Sequence, residues 1–144
     1  MTSTPLRVAV GLGCDRGTPL ATLQQALDEA LAAAGARLLD VAALASIDLK
    51  ADESGLLALA ELHGWPITFY TPAQLADVPV PNPSETVRKF TGSPSVSEAA
   101  ALLAASAAGE VLPGTALLVE KHKCKGADGR NATVSLARRH SFPL

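Results

Sequence analysis

The chain has 144 residues, of which 48% are hydrophobic and 3% aromatic. This length and apolar content predict one folded domain whose core rests on Leu, Val, Ile and Ala, and they exclude a disordered chain. No apolar run approaches the roughly 18 residues of a membrane helix, and no secretory signal is visible at the N-terminus. Cys14 and Cys124 lack any CxxC or zinc spacing, so we expect reduced thiols in a cytoplasmic protein.

The formal net charge of −2 hides an asymmetry along the chain. Residues 1–120 carry a net charge of −7 and residues 121–144 a net charge of +5. A basic end on an acidic body indicates a localised site for anions, although a solvated loop is the commoner reason for such a charge run.

The first predicted unit is a strand, a glycine turn and a helix. Residues 6–10 form an apolar run suited to a buried strand. The turn is residues 11–18, and Thr18 and Pro19 suit the N-cap and first position of a helix. Apolar residues then recur at helical spacing until Gly35, a natural C-cap.

Two further strands and helices follow. Residues 39–46 predict a buried strand, and Asp52 and Glu53 then place negative charge where a helix dipole favours it. That helix is expected to end at Gly64, and residues 67–70 to form a third strand. Thr71 and Gln74 have the spacing of a capping box that opens a short helix.

The second half begins with proline-rich loops at residues 78–84 and 91–94. A helix start is predicted at residues 82–85. A capping box at Ser95 and Glu98 opens an alanine-rich helix that ends near Gly109. Residues 115–120 and 133–137 are predicted as antiparallel neighbouring strands, with a long polar loop over residues 123–131.

These elements predict a single α/β domain over residues 1–144, with flexible termini at residues 1–5 and 140–144. The alternation of strands and helices favours a three-layer α/β/α fold with a mixed, mostly parallel sheet and a C-terminal antiparallel strand pair.

Ligands of open α/β sheets gather at the carboxyl ends of strands, where four polar segments of this chain are expected. The first is the turn at residues 11–18, whose backbone N–H groups and Arg16 suit a carboxylate or phosphate. Its spacing matches neither GxxxxGK[ST] nor GxGxxG, so nucleotide cofactors are not indicated. A purely structural glycine turn is an equally good interpretation.

The second segment, residues 46–53, contains candidates for acid–base chemistry. Asp52 and Glu53 are more simply explained as partners of the helix dipole. Asp48 and Lys50 follow an apolar strand directly and, with Cys14, are the first suspects if the protein is catalytic. The scattered histidines make a metal site unexpected, and no cofactor is predicted.

The remaining segments are residues 81–84 with 91–95, which contribute Asn82 and Ser84, and residues 121–131. Lys121, Lys123 and Lys125 alternate, so they lie on one face if this stretch is extended. Such a row suits a ligand with several carboxylates. Nucleic acid fits less well, because no aromatic residues are interleaved and the domain is acidic.

Taken in order, these segments resemble the CobE family, which is also the C-terminal domain of CbiG proteins of cobalamin biosynthesis. The resemblance extends from about Arg7 to Arg139. It rests on GLGCDRGT at residues 11–18, SIDLKADESGL at 46–56, PNPS at 81–84, SVSEAA at 95–100, LVEK at 118–121 and NAT at 131–133.

The resemblance implies a role in building the corrin ring. CbiG proteins are lactone hydrolases that act on a cobalt-precorrin, an activity associated with their N-terminal part, whereas a stand-alone CobE-like form belongs to the aerobic pathway. We therefore expect a protein that binds or carries a polycarboxylate corrin or precorrin intermediate, similar to hydrogenobyrinic acid. The expected ligand contacts are Gly11, Gly13, Cys14, Arg16, Gly17, Thr18, Asp48, Lys50, Asn82, Ser84, Lys121, Lys123 and Lys125.

Two alternatives stay open from the sequence. The first alternative is an enzyme of the same pathway that catalyses a hydrolytic or rearrangement step. The second is an accessory subunit of another cobalamin-biosynthetic enzyme. A nucleophile, base and orienting residue in register are not recognisable, which favours a non-catalytic binder.

Overall fold

A computed structural model describes residues 7–78, 96–106 and 116–139. The strands are β1 (Val8–Cys14), β2 (Val41–Ile47), β3 (Ile67–Tyr70), β4 (Leu117–Lys125) and β5 (Asn131–Arg138). The helices of the described residues are α1 (Leu20–Ala34), α2 (Ser54–His63), α3 (Pro72–Ala76) and α4 (Val96–Ala105). Short 3-10 turns at Leu38–Asp40 and Asp48–Lys50 flank β2.

The five strands form one mixed sheet in the order β3-β2-β1-β5-β4. The pairs β1–β2 and β2–β3 are parallel, whereas β5 is antiparallel to both β1 and β4. Four strands therefore run in one direction, and β5 runs against them. The predicted fold class, including the antiparallel C-terminal pair, is confirmed.

Helices cover both faces of the sheet. On the first face, α1 and α2 pack on a core that includes Val10, Leu44 and Leu136. On the second face, α3 and α4 pack on a core that includes Ala9 and Ile47. Alternation along each strand sends successive side chains into these two cores, which is the physical basis of the three layers.

Local signals for helix ends agree with the structure. Gly35 and Gly64 are left-handed C-caps with φ of 68° and 71°. Thr71 and Gln74 form the predicted capping box at the start of α3. The loops and helix start predicted within residues 79–95, and the helix end near Gly109, lie outside the described residues.

The predicted extent of the first strand was wrong. β1 continues to Cys14, so Gly11 and Gly13 are strand residues and the β1–α1 turn is residues 15–19. The reason is β5, which pairs with β1 over its whole length. Thr18 is not the N-cap either, because Pro19 holds that position and the Thr18 hydroxyl donates to the carbonyl of Asp15 at 2.7 Å.

The polar stretch near the C-terminus was also misassigned. β4 reaches Lys125, and β5 begins at Asn131, so the loop between them is a hairpin of residues 126–130. Lysines on an edge strand are compatible with pairing on one side, because Lys123 and Lys125 are exposed and discourage contact with a further strand.

Gly11 permits the close approach of α4 to the sheet. A Cβ at this position would overlap the carbonyl oxygen of Ser97 and lie 2.6 Å from the backbone nitrogen of Ala101. At Gly13, by contrast, the nearest atom to an added Cβ is 3.9 Å away, on Thr133. Gly11 is therefore a packing residue.

We predict that Gly11→Ala lowers the free energy of unfolding by about 3 kcal/mol or more, because α4 must move away from β1. Gly13→Ala is the matched control and is expected to leave stability nearly unchanged. Urea unfolding of both variants tests this, and equal stabilities for the two would contradict it.

Candidate functional site

The candidate site lies at the edge of the sheet where β1, β2 and β4 end, called here the carboxyl edge. Because these strands run in the same direction, the β1–α1 turn, the 3-10 turn Asp48–Lys50 and the end of β4 share this edge. Three of the four polar segments predicted from the sequence therefore meet there. The fourth, with Asn82 and Ser84, lies outside the described residues.

The β1–α1 turn is bound to the start of α2 through the carboxylate of Glu53. The backbone N–H of Gly17 donates to Glu53 Oε1 at 2.7 Å, and Arg16 Nη1 donates to Glu53 Oε2 at 3.1 Å. Gly17 has φ of 77°, which favours glycine and aims its N–H at this carboxylate. The side chain of Glu53 is 5% exposed, so these contacts satisfy a buried charge.

Arg16 makes two further contacts within the chain. Its Nη1 donates to Asp52 Oδ1 at 2.8 Å, and its Nη2 donates to the carbonyl oxygen of Leu49 at 2.9 Å. Glu53 is the N-cap residue of α2, but its side chain makes no capping hydrogen bond. Both carboxylates stand at the helix start, as expected for partners of the helix dipole, and both are also bound to Arg16.

The hairpin of residues 126–130 holds the turn from the other side. Asp15 Oδ2 accepts from the backbone N–H of Asn131 at 2.8 Å and from its side-chain amide at 3.2 Å. Arg130 Nε donates to the carbonyl oxygen of Arg16 at 2.8 Å, and Arg130 Nη1 is paired with Asp128 at 2.9 Å. The turn is thus fixed between α2 and β5.

Asp15, Glu53, Arg130 and Asn131 lie within the predicted polar segments, but they were not among the expected ligand contacts. Each is bound to a residue more than 30 positions away, which local pattern does not reveal. The one sequence signal for these contacts was the order of the polar segments along the chain. That order places the starts of α2 and β5 near the β1–α1 turn.

Cys14 lies beside this cluster and is half-buried. Desolvation raises the pKa of its thiol from 9.0 to about 11, and the charge of Lys50 opposes that shift. A thiol with this pKa is protonated at neutral pH, which weakens the case for Cys14 as a nucleophile. Asp48 is exposed and has no side-chain hydrogen bond or ion pair within the described residues.

The predicted lysine row consists of Lys121, Lys123 and Lys125 on β4. His122 contacts Glu29 of α1 at 2.7 Å, and Cys124 packs in the first-face core, so the lysines alternate onto the second face. Lys121 Nζ lies 3.7 Å from Glu98 of α4, whose side chain is fully buried. Lys123 and Lys125 are exposed and form no ion pair with any residue that the structure describes.

The carboxyl edge therefore has two parts. The cluster of Arg16, Asp52 and Glu53 joins the turn to α2, which packs on the first face, and its one cation is already paired with two carboxylates of the chain. The lysine row belongs to the second face, where Lys123 stands beside Thr133 and Thr133 beside Gly13 in the strand register. The predicted residues share an edge but not one face of the sheet.

No group of three His, Cys, Asp or Glu side chains with metal-binding geometry occurs in the described parts of the chain. Among those same residues, no helix has the length and apolar character needed to cross a bilayer.

Removing the Glu53 carboxylate leaves the Gly17 N–H and Arg16 without their shared acceptor. We predict that Glu53→Ala lowers the free energy of unfolding by about 2–3 kcal/mol, measured by urea denaturation. Asp52→Ala, one position away and 77% exposed, is the control and is expected to keep a midpoint close to that of the unaltered chain. A large loss in both variants would contradict the assignment of Glu53 as the structural partner.

The raised pKa of Cys14 predicts slow alkylation. In a Cys124→Ala background at pH 8, the rate with iodoacetamide is expected to be about one hundredth that of an unperturbed thiol, because the thiolate fraction falls tenfold per unit. The rate should still be rising between pH 9 and pH 10. A plateau below pH 9 would show that the thiol is more acidic than burial predicts.

Comparisons with known proteins identify the family. The family model described as "Cobalamin synthesis G C-terminus" matches residues 8–137. Protein CobE of Sinorhizobium sp is 40% identical over 100 residues, which are 68% of this chain and 65% of that protein. The cobalt-precorrin-5A hydrolase of Priestia megaterium is 41% identical over 99 residues, 69% of this chain but 26% of the hydrolase.

Solved structures agree with these sequence matches. The crystal structure of CobE, a protein from the cobalamin (vitamin B12) biosynthetic pathway, has a TM-score of 0.79 and 36% identity, covering 99% of this chain and 97% of that one. Cobalamin biosynthesis protein chiG from Agrobacterium tumefaciens str. C58 has a TM-score of 0.60 and 29% identity, covering 93% and 99%. The chain therefore belongs to the cobalamin synthesis G C-terminus family and is a cobalamin biosynthesis protein of the CobE/CbiG C-terminal type.

Proposed function

We propose that the protein binds and carries a polycarboxylate corrin or precorrin intermediate, similar to hydrogenobyrinic acid, at the second-face side of the carboxyl edge. The observation that carries this proposal is the exposure of Lys123 and Lys125 beside a floor made of Thr133 and Gly13. Corrin intermediates present several acetate and propionate arms around an apolar ring, so their recognition needs cations next to uncrowded surface.

The floor supports contact with a flat ring. Gly13 has no side chain, and among the residues that the structure describes the nearest atom to an added Cβ is 3.9 Å away, on Thr133. Thr133 adds a small side chain between Gly13 and Lys123. With 3% aromatic residues in the chain, shallow surface binding is more consistent with the composition than stacking in an aromatic pocket.

Within the row, the two exposed lysines are the proposed carboxylate contacts. Lys121 is held by Glu98, and a cation already matched by a buried carboxylate attracts a ligand anion less. Lys123 and Lys125 are exposed at the surface.

A binding role is favoured over catalysis by the state of the suspected residues. The Cys14 thiol is protonated at neutral pH, and Asp48 is held by no side-chain partner in the described residues. Cys14→Ala and Asp48→Asn variants are accordingly expected to restore cobalamin production in a deletion strain. Failure of either variant, despite normal folding, would favour an enzyme.

An accessory role is a second candidate, favoured by one observation. The region matched by this chain is 26% and 28% of two cobalt-precorrin-5A hydrolases, so the same domain accompanies a much longer chain there. An accessory subunit would co-purify with a defined biosynthetic enzyme in stoichiometric amounts.

We predict that hydrogenobyrinic acid binds saturably at low salt, followed by its visible spectrum, and that affinity falls with added salt. Lys123→Met combined with Lys125→Met should weaken binding about tenfold, because two charged contacts are lost. Arg37→Gln, which removes one exposed cation near the start of β2 at the opposite edge, is the control for loss of a distant charge, to be compared with each single lysine variant, and should bind nearly as the unaltered chain does. Absence of saturable binding at low salt would refute the proposed function.

A further inference from the structure

The guanidinium of Arg16 is held in one orientation and still reaches solvent. Its Nη2 donates to the carbonyl oxygen of Leu49, and its Nη1 donates to the buried Glu53, while 61% of the side chain stays exposed. A guanidinium has five N–H donors, so two anchors leave others available for a carboxylate arriving from solvent.

Asp52 accepts a hydrogen bond from one of the N–H groups on the solvent side of this guanidinium. It lies 2.8 Å from Arg16 Nη1, and 77% of its side chain is exposed. Ion pairs this exposed contribute little to stability because water and salt screen them. Glu53 differs, because it is 5% exposed and also binds the Gly17 N–H, so it cannot leave without opening the turn.

We propose that Arg16 is a second carboxylate-binding position of the carboxyl edge, and that Asp52 is a placeholder that an incoming carboxylate displaces from it. The exchange replaces one ion pair with another, and Asp52 moves into solvent. That the displacing group belongs to a corrin intermediate rests on the proposed function, whereas the exchange itself requires only a carboxylate.

The position of Arg16 suits a ligand that also meets the lysine row. Arg130, at the end of the hairpin that follows β4, donates to the carbonyl oxygen of Arg16 at 2.8 Å, so the turn and the hairpin are in direct contact. Arg130 is not an equivalent receptor. Its partner Asp128 also accepts the backbone N–H of Arg130 and is part of the hairpin fold.

The test compares Asp52→Asn with Asp28→Asn, which makes the same change of net charge on an exposed position of α1. The probe is tricarballylate, a simple tricarboxylate, measured by calorimetry and by the NMR signal of the Arg16 Nε–H group. Asp52→Asn is expected to tighten binding about three- to fivefold relative to Asp28→Asn, because no internal carboxylate competes. Asp52→Ser is a second variant with the same expectation.

Arg16→Gln provides the decisive cross-check. In that background, Asp52→Asn should have no effect on affinity, because the two side chains act through one contact. Equal affinities for Asp52→Asn and Asp28→Asn would overturn the inference, as would an unmoved Arg16 signal or no tricarballylate binding to either variant.

Repeating the titrations with hydrogenobyrinic acid separates the two proposals. If the tricarboxylate shows the expected pattern and the corrinoid does not bind, the Arg16 position stands and the proposed function fails. If the tricarboxylate shows the expected pattern but the corrinoid binds equally to Asp52→Asn and Asp28→Asn, the proposed function and the exchange at Arg16 both stand, and only the assignment of the displacing group to a corrin intermediate is wrong.

Discussion

Glu53 places a nearly buried carboxylate between the backbone of Gly17 and the guanidinium of Arg16, and the geometry of the carboxyl edge depends on this contact. A buried charge without partners is strongly unfavourable, so the turn after β1 and the start of α2 must stay together. Asp15 and Asn131 extend the constraint to β5. The elements β1, α2 and β5, which are remote in sequence, are thereby held together through the β1–α1 turn.

The contact between the Gly17 N–H and Glu53 also changes the interpretation of the glycine turn. Backbone N–H groups after a strand commonly receive anions, and here the anion is supplied by the chain itself. The proposed ligand contacts are therefore the exposed side of Arg16 and the separate lysine row. The turn is therefore a framework for the edge, and its capacity for ligands lies in side chains rather than in the Gly17 backbone.

The sequence predicted structural features correctly where the physical cause of the feature is local. Gly35 and Gly64 end helices because the left-handed conformation favours glycine, and Thr71 with Gln74 caps α3 within one turn. The alternating lysines were correctly placed on one face. The extent of β1 was not predictable, because Gly11 is needed for contact with Ser97, 86 positions away, and not for a turn.

Site residues show the same division between local and distant causes. Cys14, Arg16 and Lys50 were nominated from their places after strands, and the structure gathers them at one edge. The partners that decide their chemistry were not predictable. Burial makes the thiol of Cys14 a weak acid, and Glu53 and Asp52 neutralise Arg16. The sequence pattern identifies which side chains lie at an edge of the sheet. Contacts with residues distant in sequence determine which of those side chains stay reactive or unpaired.

Local charge balance is compatible with the proposed polyanion site on an acidic chain. The exposed arginines of the edge are matched by Asp52 and Asp128, and Lys121 is matched by Glu98. Lys123 and Lys125 form no ion pair within the described residues. At physiological ionic strength the field of a charge decays over about 8 Å, so acidic residues farther away than this weaken the field of the two lysines only slightly. The positive charge of these two lysines is confined to a short stretch of β4, so the proposed ligand is one whose carboxylates are close enough together to contact both.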